Sequence, residues 1–325
     1  MQVAVVKENI VSKSERFPFS SFPNGWFALA WSSELAPEGV KRVKAFGREL
    51  VLFRTKAGVA TVLDAFCPHL GTHLGYGCVK DETIQCPFHA WRFDGSGACV
   101  EVPNAKKIPP RAQVKPWLVS EKNGVIFVHH DNEGKAPAYE LPLAPELNGR
   151  GEGPGDWTKP VHYGWTIKTH VQEICENLAD ISHFGHLHGL SGAHELESEF
   201  TPSYFRMHLG ADGTTVDMWL YGLSAELSRV VLFNEHFFAA KFMTPLDADH
   251  VELRIASSAK ITGDVSEAEQ RSNLFKDLTS QALLQDVPLW ENKRYSETPL
   301  LSSVDGPIIP FRKWAKQFYP AEQNG

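Results

Sequence analysis

Two short segments of this sequence each combine a cysteine with a histidine. They are Cys67-Pro-His69 and Cys86-Pro-Phe-His89, and sixteen residues separate His69 from Cys86. In both segments a proline follows the cysteine directly, and its fixed φ stiffens the loop. Thiolate sulfur and imidazole nitrogen bind zinc and the irons of iron–sulfur clusters, so this repeat predicts a metal centre.

The way the ligands are paired favours an iron–sulfur cluster over a zinc ion. Structural zinc sites place four ligands around one ion, often one pair of cysteines followed by one pair of histidines. Here each segment supplies one ligand of each kind, which suits a [2Fe-2S] cluster with two cysteines on one iron and two histidines on the other. A zinc-bound structural or binding protein is the alternative. The predicted cluster ligands are Cys67, His69, Cys86 and His89.

A second dense group of titratable side chains occupies residues 176–189. Two imidazoles and one carboxylate bind Fe(II) in oxygen-activating enzymes and leave coordination positions open for O2. His183 and His188 are five residues apart, about 140° around an ideal helix, so a shared ion requires a distortion or a helix end between them. His186 is a rival by spacing, because residues three apart on a helix are neighbours.

The carboxylate of such a triad must come from another part of the chain. Asp286 is the preferred candidate because it lies near the end of a long predicted helix among apolar residues. An unpaired carboxylate in such surroundings would be costly, which indicates that it has a partner. Asp277 and Glu291 are the rival candidates.

The elements that must position these groups change in type along the chain. Residues 25–130 contain short β-branched runs separated by Gly, Asn and Asp clusters, which predict a small antiparallel β domain. A stretch rich in proline and glycine follows and is typical of a linker. Leucines near helical spacing then predict a helix from Ser266 to Gln285. Strands followed by a long helix indicate an α+β fold. The strand-like runs before the helix are 214–221, 230–233, 237–242 and 251–259.

Length and composition restrict the class of protein. The 325 residues suffice for about two domains. A net charge of −7 without a basic stripe argues against nucleic-acid binding. No apolar run approaches the ~18 residues that a membrane span requires. Five cysteines, an odd number, without a recognisable signal peptide indicate a reduced cytoplasmic protein rather than a disulfide framework.

The order of the two motifs resembles the large catalytic subunits of the Rieske non-haem iron oxygenases. The family pattern Asn-x-x-Asp-x-x-His-x4-His fits Asn177, Asp180, His183 and His188. Four stretches are most similar to the 3-ketosteroid 9α-hydroxylase oxygenase and cholesterol-desaturase branch, and the resemblance covers nearly the whole chain. These stretches are 64–71, 86–92, 284–290 and 312–319.

The resemblance implies an α+β chain with two domains and a defined set of ligands. An all-β Rieske domain would occupy residues 22–135, followed by a linker at 136–160. The catalytic domain at 161–325 would have a helix-grip (START-like) fold, an antiparallel sheet over a long helix, with residues 1–21 packed on it. Asp286 would complete the mononuclear iron site.

The resemblance also implies how electrons reach that iron. The family forms head-to-tail homotrimers in which one subunit's cluster faces the next subunit's iron. Asp180 would then bridge His183 to His89 of the neighbour, and Asn177 would have a role in the same site. A separate flavin or iron–sulfur reductase, or a ferredoxin, would pass electrons from NAD(P)H to the cluster.

The implied activity is hydroxylation of an apolar, steroid-like or polycyclic substrate with O2. Desaturation, arene dioxygenation (with a companion β subunit) and O-demethylation are alternatives within the same family. An electron-transfer protein with a Rieske cluster and no chemistry of its own is the alternative from another class, and it would give the second group of residues no purpose.

Overall fold

The computed structural model describes residues 16–18, 20 and 22–320. The predicted packing of residues 1–21 on the catalytic domain therefore lies largely outside the described residues. Within them, the Arg16 guanidinium donates hydrogen bonds to the carbonyls of Trp290, at 2.5 Å, and Lys293, at 2.9 Å. This part of the N-terminal segment thus contacts the end of the long C-terminal helix.

Short strands in three antiparallel sheets form the first part of the described chain. The strands are β1 (Gly25–Trp31), β2 (Val40–Ala45), β3 (Arg48–Arg54), β4 (Ala60–Asp64), β5 (Cys78–Lys80), β6 (Thr83–Gln85), β7 (Arg92–Phe93), β8 (Cys99–Glu101), β9 (Pro116–Trp117), β10 (Val119–Lys122) and β11 (Val125–His130). The sheet orders are β1-β11-β10, β2-β3-β4-β9 and β5-β6-β7-β8. The first Cys-His segment lies between β4 and β5, and the second lies between β6 and β7.

A seven-stranded antiparallel sheet and four helices form the second part. The strands are β12 (Val161–Ile167), β13 (His194–Phe200), β14 (Tyr204–Ala211), β15 (Thr214–Tyr221), β16 (Ala225–Leu232), β17 (Glu235–Pro245) and β18 (Val251–Ala259). Their order is β12-β18-β17-β16-β15-β14-β13. The helices are α1 (Val171–Glu176), α2 (Ile181–His186), α3 (Val265–Asn292) and α4 (Ile308–Ala315). The predicted α+β class is confirmed.

The long helix α3 packs across one face of the seven-stranded sheet. The Phe275 ring stacks on Phe237 of β17 with centroids 4.6 Å apart, and the hydroxyls of Thr279 and Tyr163 lie 2.7 Å apart. The helix begins after Asp264, whose side chain accepts a hydrogen bond from an amide of the first turn. It continues seven residues beyond the predicted end at Gln285.

One predicted strand has different bounds. The run 230–233 belongs to β16, which starts earlier at Ala225 and ends at Leu232. Phe233 and Asn234 have φ values of +49° and +65°, so they form the tight turn to β17 rather than extending the strand. The predicted runs 214–221 and 251–259 coincide with β15 and β18.

The first part of the chain packs against the sheet face opposite α3. The Thr244 hydroxyl donates to the carbonyl of Ala28 at 2.7 Å, and the rings of Phe127 and Phe242 meet edge to face with centroids 5.3 Å apart. One face of the seven-stranded sheet is therefore covered by β1 and β11, and α3 packs on the other face. Within the described residues, no helix is long and apolar enough to cross a membrane.

The ion pair between α1 and α4 gives the first testable prediction. Arg312 donates two hydrogen bonds to Glu176 at 2.7 Å, and their side chains are only 11% and 7% exposed. Arg312→Met leaves this buried carboxylate without a counter-ion, so the free energy of unfolding should fall by about 3–5 kcal/mol in denaturant titrations. Arg150→Met, which removes an exposed pair with Glu152, should change it by less than about 0.5 kcal/mol. Equal losses of unfolding free energy in the two variants would contradict the stabilising role of the buried pair.

Candidate metal centres

The two Cys-His segments form loops with the same backbone hydrogen bonds. Cys67 donates its amide to Thr72 and accepts from Gly71, at 2.9 and 3.0 Å. Cys86 donates to Trp91 and accepts from Ala90, at 2.8 and 3.1 Å. The fifth residue of each loop has a left-handed φ, +76° at Gly71 and +57° at Ala90. Each loop is therefore folded tightly around its cysteine by its own backbone.

The loops bury the cysteines and expose the histidines. Cys67 and Cys86 are each 2% exposed, whereas His69 and His89 are exposed and their ring centroids lie 4.6 Å apart. Burial raises the pKa of the Cys67 thiol to about 11, and the neighbouring Cys86 adds to this rise. The four side chains sit as a cluster needs them, with two adjacent thiols inside and two adjacent imidazoles at the surface.

Aromatic rings surround the histidine pair. The Trp91 indole stacks on His69 with the ring planes 6° apart, and the same indole packs against the buried core of this domain. Phe88 lies against His89 with ring centroids 3.8 Å apart. These contacts orient both imidazoles at the edge of the cluster site.

The second group of candidates converges on one point. His183, His188 and Asp286 each offer a ligand atom, and these atoms all lie within 4.8 Å of one another. The Asp286 side chain is 7% exposed and the His188 side chain 11% exposed. Two imidazoles and one carboxylate at this spacing fit a single Fe(II) ion.

The helix ends where the spacing of the histidines requires it. Helix α2 stops at His186, and Gly189 then adopts φ +68°. Because the chain turns between them, the side chains of His183 and His188 meet with ring centroids 5.0 Å apart. His186 is exposed and does not belong to the group, so His183 and His188 are the two histidines that can share one ion.

Hydrogen bonds fix which nitrogen of each imidazole is available. His183 donates from Nδ1 to the backbone carbonyl of Asp180, and His188 donates from Nδ1 to Oε1 of Gln285 at 3.0 Å. In both rings Nε2 is therefore left for a metal. Burial lowers the pKa of His183. Burial also opposes the charged form of His188, but contacts with Asp286 and Gln285 outweigh it and raise its pKa.

The remaining candidates occupy other positions. Asp277 is 59% exposed and pairs with Lys276, while Glu291 accepts from the amide of Lys168. Asn177 accepts a hydrogen bond from the Trp290 indole at 3.2 Å and so ties α3 to the segment before α2.

Asp180 contacts His183 through its backbone carbonyl rather than through its carboxylate. Burial raises the pKa of that carboxyl, although the charge of His183 opposes the shift.

Gln285 is a site residue that the sequence analysis did not identify. Its amide holds the tautomer of His188, a role that requires the two residues to meet across 97 positions of sequence. The only signal in the sequence is its position next to Asp286, which places it near the same metal.

Two family models match this chain. The Rieske [2Fe-2S] domain matches residues 25–132, and the 3-ketosteroid 9alpha-hydroxylase C-terminal domain matches residues 128–319. Each model thus covers one of the two groups of candidate ligands. The two matches share residues 128–132, around the end of β11.

Curated relatives align over most of the chain. The 3-ketosteroid-9-alpha-monooxygenase oxygenase component of Rhodococcus rhodochrous is 33% identical, over 92% of this chain and 84% of its own length. Cholesterol 7-desaturase nvd 1 of Ciona intestinalis is 32% identical, over 92% of this chain and 69% of its own.

Solved structures share the fold at lower identity. Dicamba monooxygenase bound to dicamba has a TM-score of 0.74 at 19% identity, over 92% of this chain and 98% of that one. NdmA of Pseudomonas putida CBB5 with caffeine has a TM-score of 0.72 at 20% identity, over 90% of each chain. These likenesses show the arrangement of the two domains and nothing about the ligand.

The contact between Gln285 and His188 gives a prediction for metal binding. Gln285→Leu removes the acceptor that orients the imidazole, so affinity for Fe(II) should fall about 10- to 100-fold. The measurement is a titration of Fe(II) against a chelator, with the [2Fe-2S] content followed in parallel. Gln281→Leu, one turn earlier on the exposed side of α3, is the matched control. Equal Fe(II) affinities in the two variants would show that Gln285 does not orient His188 for metal binding.

Proposed function

Since this chain belongs to the Rieske non-haem iron oxygenases, in the 3-ketosteroid 9α-hydroxylase and cholesterol-desaturase branch, we propose that it hydroxylates an apolar, steroid-like substrate. The family makes the chain an enzyme, the terminal oxygenase of an electron-transfer system. Its cofactors are a [2Fe-2S] cluster and Fe(II), with O2 as co-substrate. We propose NAD(P)H as the indirect source of its electrons.

The observation that carries the proposal is the convergence of His183, His188 and Asp286 in a chain that also holds a cluster site. An electron carrier would have no use for this second group. The bound iron supplies O2 activation for attack on a C–H bond. The protein would hold this iron through His183, His188 and Asp286, and three protein ligands would leave coordination positions for O2.

The proposed roles follow the donor chemistry of each residue. The cluster ligands are Cys67, His69, Cys86 and His89, and the mononuclear iron ligands are His183, His188 and Asp286. Asp180 orients His183 through its backbone carbonyl, and its carboxylate links this site to His89 of the neighbouring subunit. Asn177 holds α3 against the ligand segment through Trp290. These roles correspond to a Rieske domain at 22–135, a linker at 136–160 and a catalytic domain from residue 161.

The side chains on the sheet face below α3 are evidence for an apolar substrate. Cross-strand partners in a sheet point to the same side, and Tyr163 and Phe237 define the side that faces α3. Most other side chains on that side are apolar, which suits a hydrocarbon skeleton. They include Met207, Met218, Ala239, Met243 and Ile255.

Desaturation is the second candidate. A relative named as a cholesterol 7-desaturase is 32% identical to this chain, nearly the same as the 33% of the monooxygenase relative. Removal of two neighbouring hydrogens and hydroxylation start from the same abstraction of one hydrogen. The product of a steroid incubation, analysed by mass spectrometry, separates the two outcomes.

We propose that the functional assembly is a head-to-tail homotrimer, with one subunit's cluster next to another's mononuclear iron. The histidine edge of the cluster site is surrounded by exposed apolar side chains, Phe66 (51%), Leu70 (64%) and Phe88 (59%). Such a patch on a monomer is typical of an interface. An oxygenase component also requires a reductase or ferredoxin partner. Five free cysteines suit the reducing cytoplasm that we propose as its location.

The first test is metal content. Anaerobically purified protein should contain three iron atoms and two labile sulfides per chain, with a low average g value in the EPR spectrum of the reduced cluster. His183→Ala should retain two irons and the same spectrum, whereas Cys86→Ser should lose the cluster. Two irons in the unmodified protein after Fe(II) addition would rule out the oxygenase; colourless, zinc-containing protein would rule out both centres.

The proposed role of Asp180 is tested by turnover. Asp180→Asn should keep all three irons but reduce NAD(P)H-dependent, substrate-dependent O2 consumption by at least about tenfold, because the link between subunits is weakened. Asp277→Asn neutralises an exposed carboxylate of the same domain and should be silent. Full activity of Asp180→Asn would refute the proposed bridge between subunits. The assignment of the two metal sites would be unaffected.

A further inference from the structure

A pocket of about 260 Å³ lies between the seven-stranded sheet and the segment 136–160, the proposed linker. Arg229 of β16 and Phe238 of β17 line it, and they are cross-strand partners, so they share one side of the sheet. Phe242 lies on the same side of β17 and meets Phe127 of the first domain. The pocket is therefore on the side of the sheet opposite α3, the helix that carries Asp286.

Hydrogen bonds hold the wall of this pocket that the linker forms. Asn123, in the turn between β10 and β11, accepts from the amide of Ala144 and donates to the carbonyl of Pro142, both at 2.9 Å. Ser258 of β18 donates to the carbonyl of Glu146 at 3.2 Å. Both domains therefore hold the linker over the sheet, and the pocket is part of the folded structure.

One buried carboxylate oxygen at this pocket has no donor. Glu146 lines the pocket and is 4% exposed, and its Oε1 accepts from Nε of Arg229 at 2.8 Å. Its Oε2 is also buried, but no group of the described residues donates a hydrogen bond to it. Because a buried acceptor of this kind is costly when it is unpaired, Oε2 indicates a donor on a molecule bound in the pocket.

The guanidinium beside this carboxylate offers donors to the same molecule. Within the part of the chain that the structure describes, Arg229 donates hydrogen bonds to Glu146 alone, and its side chain is 57% exposed. Its guanidinium lies 5.5 Å from the ring centroid of Trp219, and Tyr221 and Phe238 also line the pocket. The pocket thus presents one acceptor and neighbouring donors among aromatic side chains.

We propose that this pocket binds a small aromatic amide, whose N–H donates to Oε2 of Glu146 and whose carbonyl accepts from Arg229. A carboxylate ligand would be repelled by Glu146 and an ammonium ligand by Arg229, whereas a neutral amide carries both a donor and an acceptor. The aromatic side chains suit a flat ring. The inference goes beyond the proposed function and does not rest on it.

Three benzene derivatives that differ in charge test this assignment. Benzamide is neutral, benzoate is an anion and benzylammonium is a cation. Titrations followed by saturation-transfer NMR, with the metal-loaded protein, give a dissociation constant for each. We expect benzamide to bind at least about tenfold more tightly than either ion, because each ion loses one of the two charge-assisted hydrogen bonds and meets a like charge.

The variant Glu146→Leu should produce one loss and one gain of affinity. It removes the acceptor of the amide N–H, so benzamide binding should weaken about 10- to 100-fold. It also frees the exposed guanidinium of Arg229 to pair with an anion, so benzoate should bind about 10-fold more tightly. A misfolded variant would not gain affinity. Glu152→Leu removes an exposed carboxylate of the same linker and should leave all three dissociation constants unchanged.

The outcomes decide this inference separately from the proposed function. A loss of benzamide binding together with a gain of benzoate binding in Glu146→Leu would confirm the site. Equal benzamide affinity in Glu146→Leu and the unmodified protein, or no benzamide binding to the unmodified protein, would overturn it, and solvent would then be the donor to Oε2. None of these measurements uses the oxygenase reaction, so their failure would leave the proposed function as it stands.

Discussion

The catalytic half of this protein depends on how α3 is seated on the seven-stranded sheet. Asp286 lies on the face of α3 that is turned inward, and it reaches the two histidines only if the helix has the correct position along its axis. Two contacts at the end of α3 fix that position, between Trp290 and Asn177 and between Lys293 and the fully buried Glu173. The convergence of the three iron ligands is a consequence of this docking.

Buried charges in the second domain occur as ion pairs between different elements. The pair of Glu176 and Arg312 joins α1 to α4 and has both partners fully engaged, so its effect is structural. The pair of Glu226 and Lys241 joins the neighbouring strands β16 and β17, and its ammonium and carboxylate lie 2.8 Å apart. Because an unpaired charge is too costly in this interior, each of these buried charges has its counter-ion beside it.

The cluster loops solve a different problem, since they must bury two thiolates and still let electrons in. Backbone hydrogen bonds close each loop around its cysteine, which keeps the sulfurs away from water. His69 and His89 remain at the surface, where a redox partner or another subunit can approach them. The protein thus separates protection of the cluster from access to it within loops of about six residues.

The sequence alone determined the types of metal centre, because each cluster loop and the His183–His188 segment are local and their spacing reflects the geometry of one loop or one helix end. It also indicated strands such as 251–259 from β-branched runs. It favoured Asp286 over the rivals Asp277 and Glu291 but did not exclude them, since the position of a helix on a sheet is set by packing between distant residues. Only the tertiary structure brought Gln285 to His188 and placed Lys241 opposite Glu226, because strand register and helix docking decide which side chains meet.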